Sequence, residues 1–112
     1  MVHALEAYTS RRKKNPHSSG LDCQALRLLY PTLPVVLNNG LDLAARGRMM
    51  LGSCLAGMAF ANAPVAAVHA LAYPLGARFH VPHGLSNALM LTQVLRFNLA
   101  NAPTAQRQYS EL

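Results

Sequence analysis

Val68–Asn87 reads VHALAYPLGARFHVPHGLSN and holds three of the five histidines of the chain. His69 lies in an apolar run of helical character, AAVHALAY, with Tyr73 four residues on and therefore on the same helical face. Pro74 is predicted to end that helix, because it lacks a backbone donor and restricts the residue before it. Gly76 is expected to supply the backbone freedom for the reversal. Pro82 stands where a first helical position falls for HGLSNALMLTQVLRF, which puts His83 in the first turn of the next helix. The positive end of the helix dipole there disfavours imidazolium and leaves a lone pair to offer a metal. Two histidines fourteen residues apart match no standard zinc spacing, and a histidine on an apolar helix is more often a hydrogen-bonded core residue. From the residues alone, His69 and His83 are thus either core and loop histidines or metal ligands.

Outward from this stretch the chain reads as helical throughout, without strand-like alternation or an internal repeat. Met1–Ser10 suits the last part of a helix that has no start signal. Arg11–Lys14 and the turn residues Asn15, Pro16, Ser18, Ser19 and Gly20 read as a polar loop. Leu21–Tyr30 has apolar positions at 21, 25, 26, 28 and 29, as in a short amphipathic helix, which Pro31 and Pro34 are expected to interrupt before a turn at Asn38-Asn39-Gly40. Asp42 is the expected N-cap of the longest helix, Leu43 to about Asn62. Its apolar second half reads as a helix buried on most faces, with Gly47, Gly52, Ser53, Ala56 and Gly57 admitting close neighbours. The two remaining helices are expected over Pro64–Tyr73 and from Pro82 to about Leu99. Residues 1–98 are expected to form one helical unit and 99–112 a frayed tail.

The 112 residues leave room for one domain, and 52% are apolar against only 12% charged. An average soluble domain has about 25% charged residues, so this surface is one that expects to be covered. The formal charge is +6, and Arg11, Arg12, Lys13 and Lys14 supply four of the ten basic residues. No aromatic platform or finger spacing accompanies that run, so a solvated loop is favoured over a nucleic-acid contact. Cys23 and Cys54 form no CxxC pattern and read as buried, reduced thiols. The N-terminus carries its charge after its apolar part, the reverse of a secretory signal, and Met49–Ala61 is too short to cross a bilayer. The expected location is therefore the cytoplasm, with neither membrane nor nucleic acid as a partner.

HALAYPLG at 69–76 and FHVPHGLSNALML at 79–91 resemble the metal-ligand segment of the iron-containing (group III) alcohol dehydrogenases. The resemblance extends through HALEAYTSRRKKNPHS (3–18), LAGMAFANA (55–63) and VLRFN (94–98). It implies an all-α helical bundle corresponding to part of that family's C-terminal domain. It also implies that His3, His69 and His83 are metal ligands, for Fe²⁺ or another divalent ion such as Zn²⁺. Tyr73 matches a position close to the nicotinamide, a catalytic and cofactor-binding place where many members have a further histidine. The family's aspartate ligand, one turn before His3, would fall before Met1. No GGGS-like or GxGxxG nucleotide loop occurs, so NAD(P) is expected only with a separate nucleotide domain.

The resemblance thus implies a fragment of a metal-dependent, NAD(P)-linked alcohol dehydrogenase that interconverts small alcohols and aldehydes by hydride transfer, inactive by itself. PHG in place of PHA-E argues against a maleylacetate reductase. The competing expectation is a non-enzymatic helical module, or a truncated-gene remnant, that docks on a nucleotide-domain partner or on its own copies.

Overall fold

The structure, a computed structural model, describes residues 1–64 and 66–112. Six helices run in the order α1 (Val2–Tyr8), α2 (Pro16–Asn38), α3 (Leu43–Asn62), α4 (Ala67–Phe79), α5 (His83–Asn101) and α6 (Pro103–Glu111). The described residues contain no strand. The start of the helix expected over Pro64–Tyr73 includes Val65, which lies outside them. Met1 and His3–Pro64 make up one compact unit, and Val2 with the described residues after Pro64 makes up the other.

In the first unit α2 and α3 form an antiparallel pair. Asn15 caps α2: Ser18 N–H donates to Asn15 Oδ1 at 2.9 Å, and Asn15 N–H donates to Ser18 Oγ at 3.4 Å. Pro16 occupies the first turn, where the missing donor costs nothing. The helix therefore begins where the sequence reads as a loop. Pro31 and Pro34 do not interrupt α2, which is one helix of 23 residues. Both prolines are exposed, as are Arg27 and Tyr30 four residues before each, so the carbonyls left without a donor lie on the helix face turned to solvent. The buried stripe of Ser18, Asp22, Ala25, Leu29 and Thr32 runs down the other face.

Asp42 caps α3 as expected, accepting from Ala45 N–H at 2.9 Å. Only one stripe of α3, Ala45, Gly52, Ala56 and Ala59, is buried, so it is not a helix covered on most faces; Met50, Leu51 and Met58 are exposed. Of its small residues, Gly52 makes the close approach. A Cβ there would lie 2.8 Å from Leu29 Cγ and 3.2 Å from Ala25 O, whereas Gly47 and Gly57 face open space. Ala4, Ala25, Leu29 and Ala56 form one core cluster, and Ala7, Ala59 and Ala63 a second. Both cysteines are free; Cys23 is half-buried and Cys54 exposed, a correction to the buried pair. Arg11, Arg12 and Lys13 are solvated, but Lys14 Nζ donates to Tyr8 O at 2.9 Å and sits over the Tyr8 ring.

The second unit is built on α4 packed against α5, with α6 against α5. Pro74 does not end α4, which continues to Phe79. Pro74 and Ala70, whose carbonyl it leaves without a donor, are both exposed, the same arrangement as in α2. The reversal falls at His80, the one left-handed non-glycine residue (φ 55°) among the described residues, and Gly76 stays in a helical conformation. Residues 99–112 are largely helical: α5 runs to Asn101 and α6 follows from Pro103. Asn98 Nδ2 donates to the Tyr109 hydroxyl at 2.9 Å, tying the two helices together, a contact that local pattern does not reveal. Among the described residues no single helix is long and apolar enough to cross a membrane.

Candidate metal centre

The α4–α5 connection determines where the second unit's histidines stand. His69 lies near the start of α4, on the face carrying Val68 and Ala72, and is buried to 1% exposure. At the far end of α4, His80 N–H donates to Gly76 O at 3.1 Å and Val81 N–H to Leu75 O at 3.5 Å, which closes the helix. Pro82 is extended and caps α5, so His83 is its first residue. Ser86, almost fully buried, fastens this corner: its hydroxyl lies 3.3 Å from Val81 O and 3.2 Å from Pro82 O.

These local decisions bring three predicted residues together. The His69 and His83 rings have centroids 5.4 Å apart at 46°, and a ring nitrogen of each lies within 4.8 Å of the other's. Tyr73, one turn after His69, stacks beside His83 at 6.2 Å and 27° and stands 6.3 Å from His69. His3 belongs to the first unit, on α1, with its ring 4.9 Å from that of Phe60. His80 is exposed and terminates α4 rather than joining the pair.

Two ring nitrogens at such a separation suit a divalent cation, because metal–imidazole bonds of about 2.0–2.1 Å need ligand nitrogens a few ångströms apart. Imidazole is a ligand for iron and zinc alike. One neighbour that the sequence reading missed is Asn87, whose Nδ2 lies 3.0 Å from His83 Nε2. Its only signal in sequence is its place one helical turn after a candidate ligand.

Comparison with known proteins identifies the family. The family model described as Fe-containing alcohol dehydrogenase family, C-terminal, matches residues 1–112. The chain belongs to that family. It is 46% identical over 110 residues to 1-propanol dehydrogenase PduQ of Citrobacter freundii, covering 98% of this chain and 29% of that relative. It is 50% identical over 97 residues to long-chain-alcohol dehydrogenase 1 of Geobacillus thermodenitrificans, covering 87% of this chain and 24% of that one. Among solved structures, the iron-containing alcohol dehydrogenase from Thermococcus thioreducens superposes with a TM-score of 0.89 at 34% identity, over 98% of this chain and 28% of that one. The chain thus spans less than a third of the length of these relatives.

Proposed function

We propose that these residues supply the metal-binding part of an NAD(P)-linked alcohol dehydrogenase, with His3, His69 and His83 as the imidazole ligands of one divalent cation. The observation that carries this reading is the facing pair His69 and His83, held by two helices and a capped corner in a chain of this family. His3 joins the set through its place in the HALEAY block. When bound, the cation supplies Lewis acidity toward the oxygen of a small alcohol or aldehyde. His69 is held rigidly by its burial, and His83 by the first turn of α5. Tyr73, 57% exposed and 6.2–6.3 Å from both rings, would offer its phenol to the reacting groups and its ring to the nicotinamide once these are bound. The sequence contains no glycine-rich phosphate loop, so nucleotide binding is assigned to polypeptide outside these residues.

A chimera tests this function. Residues 1–112 replace the matched segment of the Citrobacter 1-propanol dehydrogenase, and alcohol-dependent reduction of NAD(P) is measured. Activity that is lost on changing His69 or His83 to Ala is the expected result; a folded, metal-loaded chimera without activity contradicts it.

A docking role, the second reading, is favoured by the exposed apolar side chains. Leu71 and Phe97 line a groove of about 350 Å³ with Ala67 and Val94 in the second unit. Met49, Met50 and Leu33 line one of about 600 Å³ in the first. In this reading the chain is a non-enzymatic helical module, and a nucleotide-domain partner or a second copy of the chain covers these grooves.

A further inference from the structure

We propose that the corner between α2 and α3 docks on an anionic lipid surface, with Leu37, Leu41 and Leu43 entering the headgroup layer and Arg46 and Arg48 meeting lipid phosphates. These leucines are the three most exposed large apolar side chains among the described residues, at 78%, 88% and 82%. Leu37 lies in the last turn of α2, Leu41 in the connection and Leu43 at the first position of α3. The corner that presents them is closely tied. Asn39 N–H donates to Val35 O at 2.9 Å, Asp42 N–H to Asn39 O at 3.3 Å and Leu41 N–H to Asn39 Oδ1 at 3.1 Å. Arg46 Nη1 donates to Gly40 O at 3.3 Å, which draws its guanidinium over the connection. One exposed leucine needs no explanation, but three on a fixed corner make a patch that marks an interaction surface.

Charge selects the occupant. In the first unit Glu6 and Asp22 are buried and Asp42 is half-buried at the start of α3, whereas Arg11, Arg12, Lys13, Arg27, Arg46 and Arg48 are all exposed. Every exposed charged side chain of that unit is therefore basic. A second copy would bring the same cations face to face, and like charges oppose that pairing. A nucleic acid would satisfy the arginines but leave the leucines in water. A bilayer carrying anionic lipid meets both needs, because its headgroup and acyl boundary takes apolar side chains while its negative surface attracts basic ones. Tyr30, exposed on α2 two turns before Leu37, has the amphipathic ring that favours such a boundary. The expectation of no membrane partner rests on crossing helices and signal sequences, and adsorption to a surface requires neither.

The test uses the full chain and vesicles of phosphatidylcholine, alone or mixed equally with phosphatidylserine, with circular dichroism to confirm that variants fold. Because the chain has no tryptophan, Leu41→Trp reports on the corner by itself. Sedimentation with the mixed vesicles and not with the neutral ones, together with a blue shift of the Leu41→Trp emission, is the expected result. Leu41→Ser and Leu43→Ser are each expected to weaken binding about tenfold, and Arg46→Ala and Arg48→Ala about fivefold each. No binding to the mixed vesicles overturns the proposal. So does binding that Arg11→Ala with Arg12→Ala removes while both leucine variants keep it, since the basic run before α2 then carries the contact. A blue shift that grows with protein concentration in the absence of vesicles, with dimers in sedimentation equilibrium, assigns the corner to a second copy and equally overturns it.

Discussion

His69 and His83 face each other with ring centroids 5.4 Å apart although one is buried within α4 and the other exposed at the start of α5. The two are unequal in what they do for stability and, in the proposed reading, equal in what they do for a cation. His69→Ala leaves a void in packed surroundings and is expected to destabilise by about 1–3 kcal/mol. His83→Ala removes an exposed ring together with the hydrogen-bond partner of buried Asn87, and is expected to cost about 0.5–1 kcal/mol. Urea midpoints of the two variants check the asymmetry.

Asp22 is fully buried on α2, and neither carboxylate oxygen has a hydrogen-bond partner among the described residues. Burial pushes its pKa from 3.8 up to about 7, opposed by the charge of Lys14. Between those values the folded chain keeps a proton that the unfolded chain has released. The contribution of Asp22 to stability is therefore greatest below about pH 4, falls as pH rises toward 7, and levels off above it. The loss is on the order of 4 kcal/mol by linkage. Asp22→Asn is expected to flatten the profile and to stabilise the chain at pH 8, as read from denaturant unfolding at a series of pH values.

Gly52 and Gly57 lie on the same helix and respond to alanine in opposite directions. At Gly52 the added Cβ meets Leu29 Cγ at 2.8 Å and Ala25 O at 3.2 Å, so α2 and α3 must part. Gly52→Ala is expected to cost about 1–3 kcal/mol. Gly57 faces open space within α3, and Gly57→Ala is expected to gain about 0.5–1 kcal/mol. Thermal unfolding of the two variants separates them.

His80 ends α4 in the left-handed region, φ 55°, where a side chain is strained and glycine is not. His80→Gly is expected to stabilise the chain by about 0.5–1 kcal/mol and to leave Zn²⁺ affinity unchanged. A loss of affinity would show that His80 belongs among the ligands.

The helical class, the Asp42 cap and the position of His83 were legible in the sequence because each follows from local chemistry. The prolines were misread because the rule for proline counts the lost hydrogen bond but not the face on which it is lost. At Pro31, Pro34 and Pro74 that face is exposed. Asn15 was read as loop because its box closes with Ser18 rather than with the usual Glu or Gln. α6 escaped notice because Asn98 and Tyr109, which tie it to α5, are eleven residues apart. For the site, the family pattern named His69 and His83, while Asn87 emerged only once the direction of its side chain was known.

The most direct measurement is a Co²⁺ titration of the chain, followed by d–d absorption, alongside single His3→Ala, His69→Ala and His83→Ala variants. One Co²⁺ per chain, with affinity lost in each of the three, is the outcome that the shared-cation account predicts. Binding that is indifferent to any one of the three histidines, or no binding at all, would contradict it.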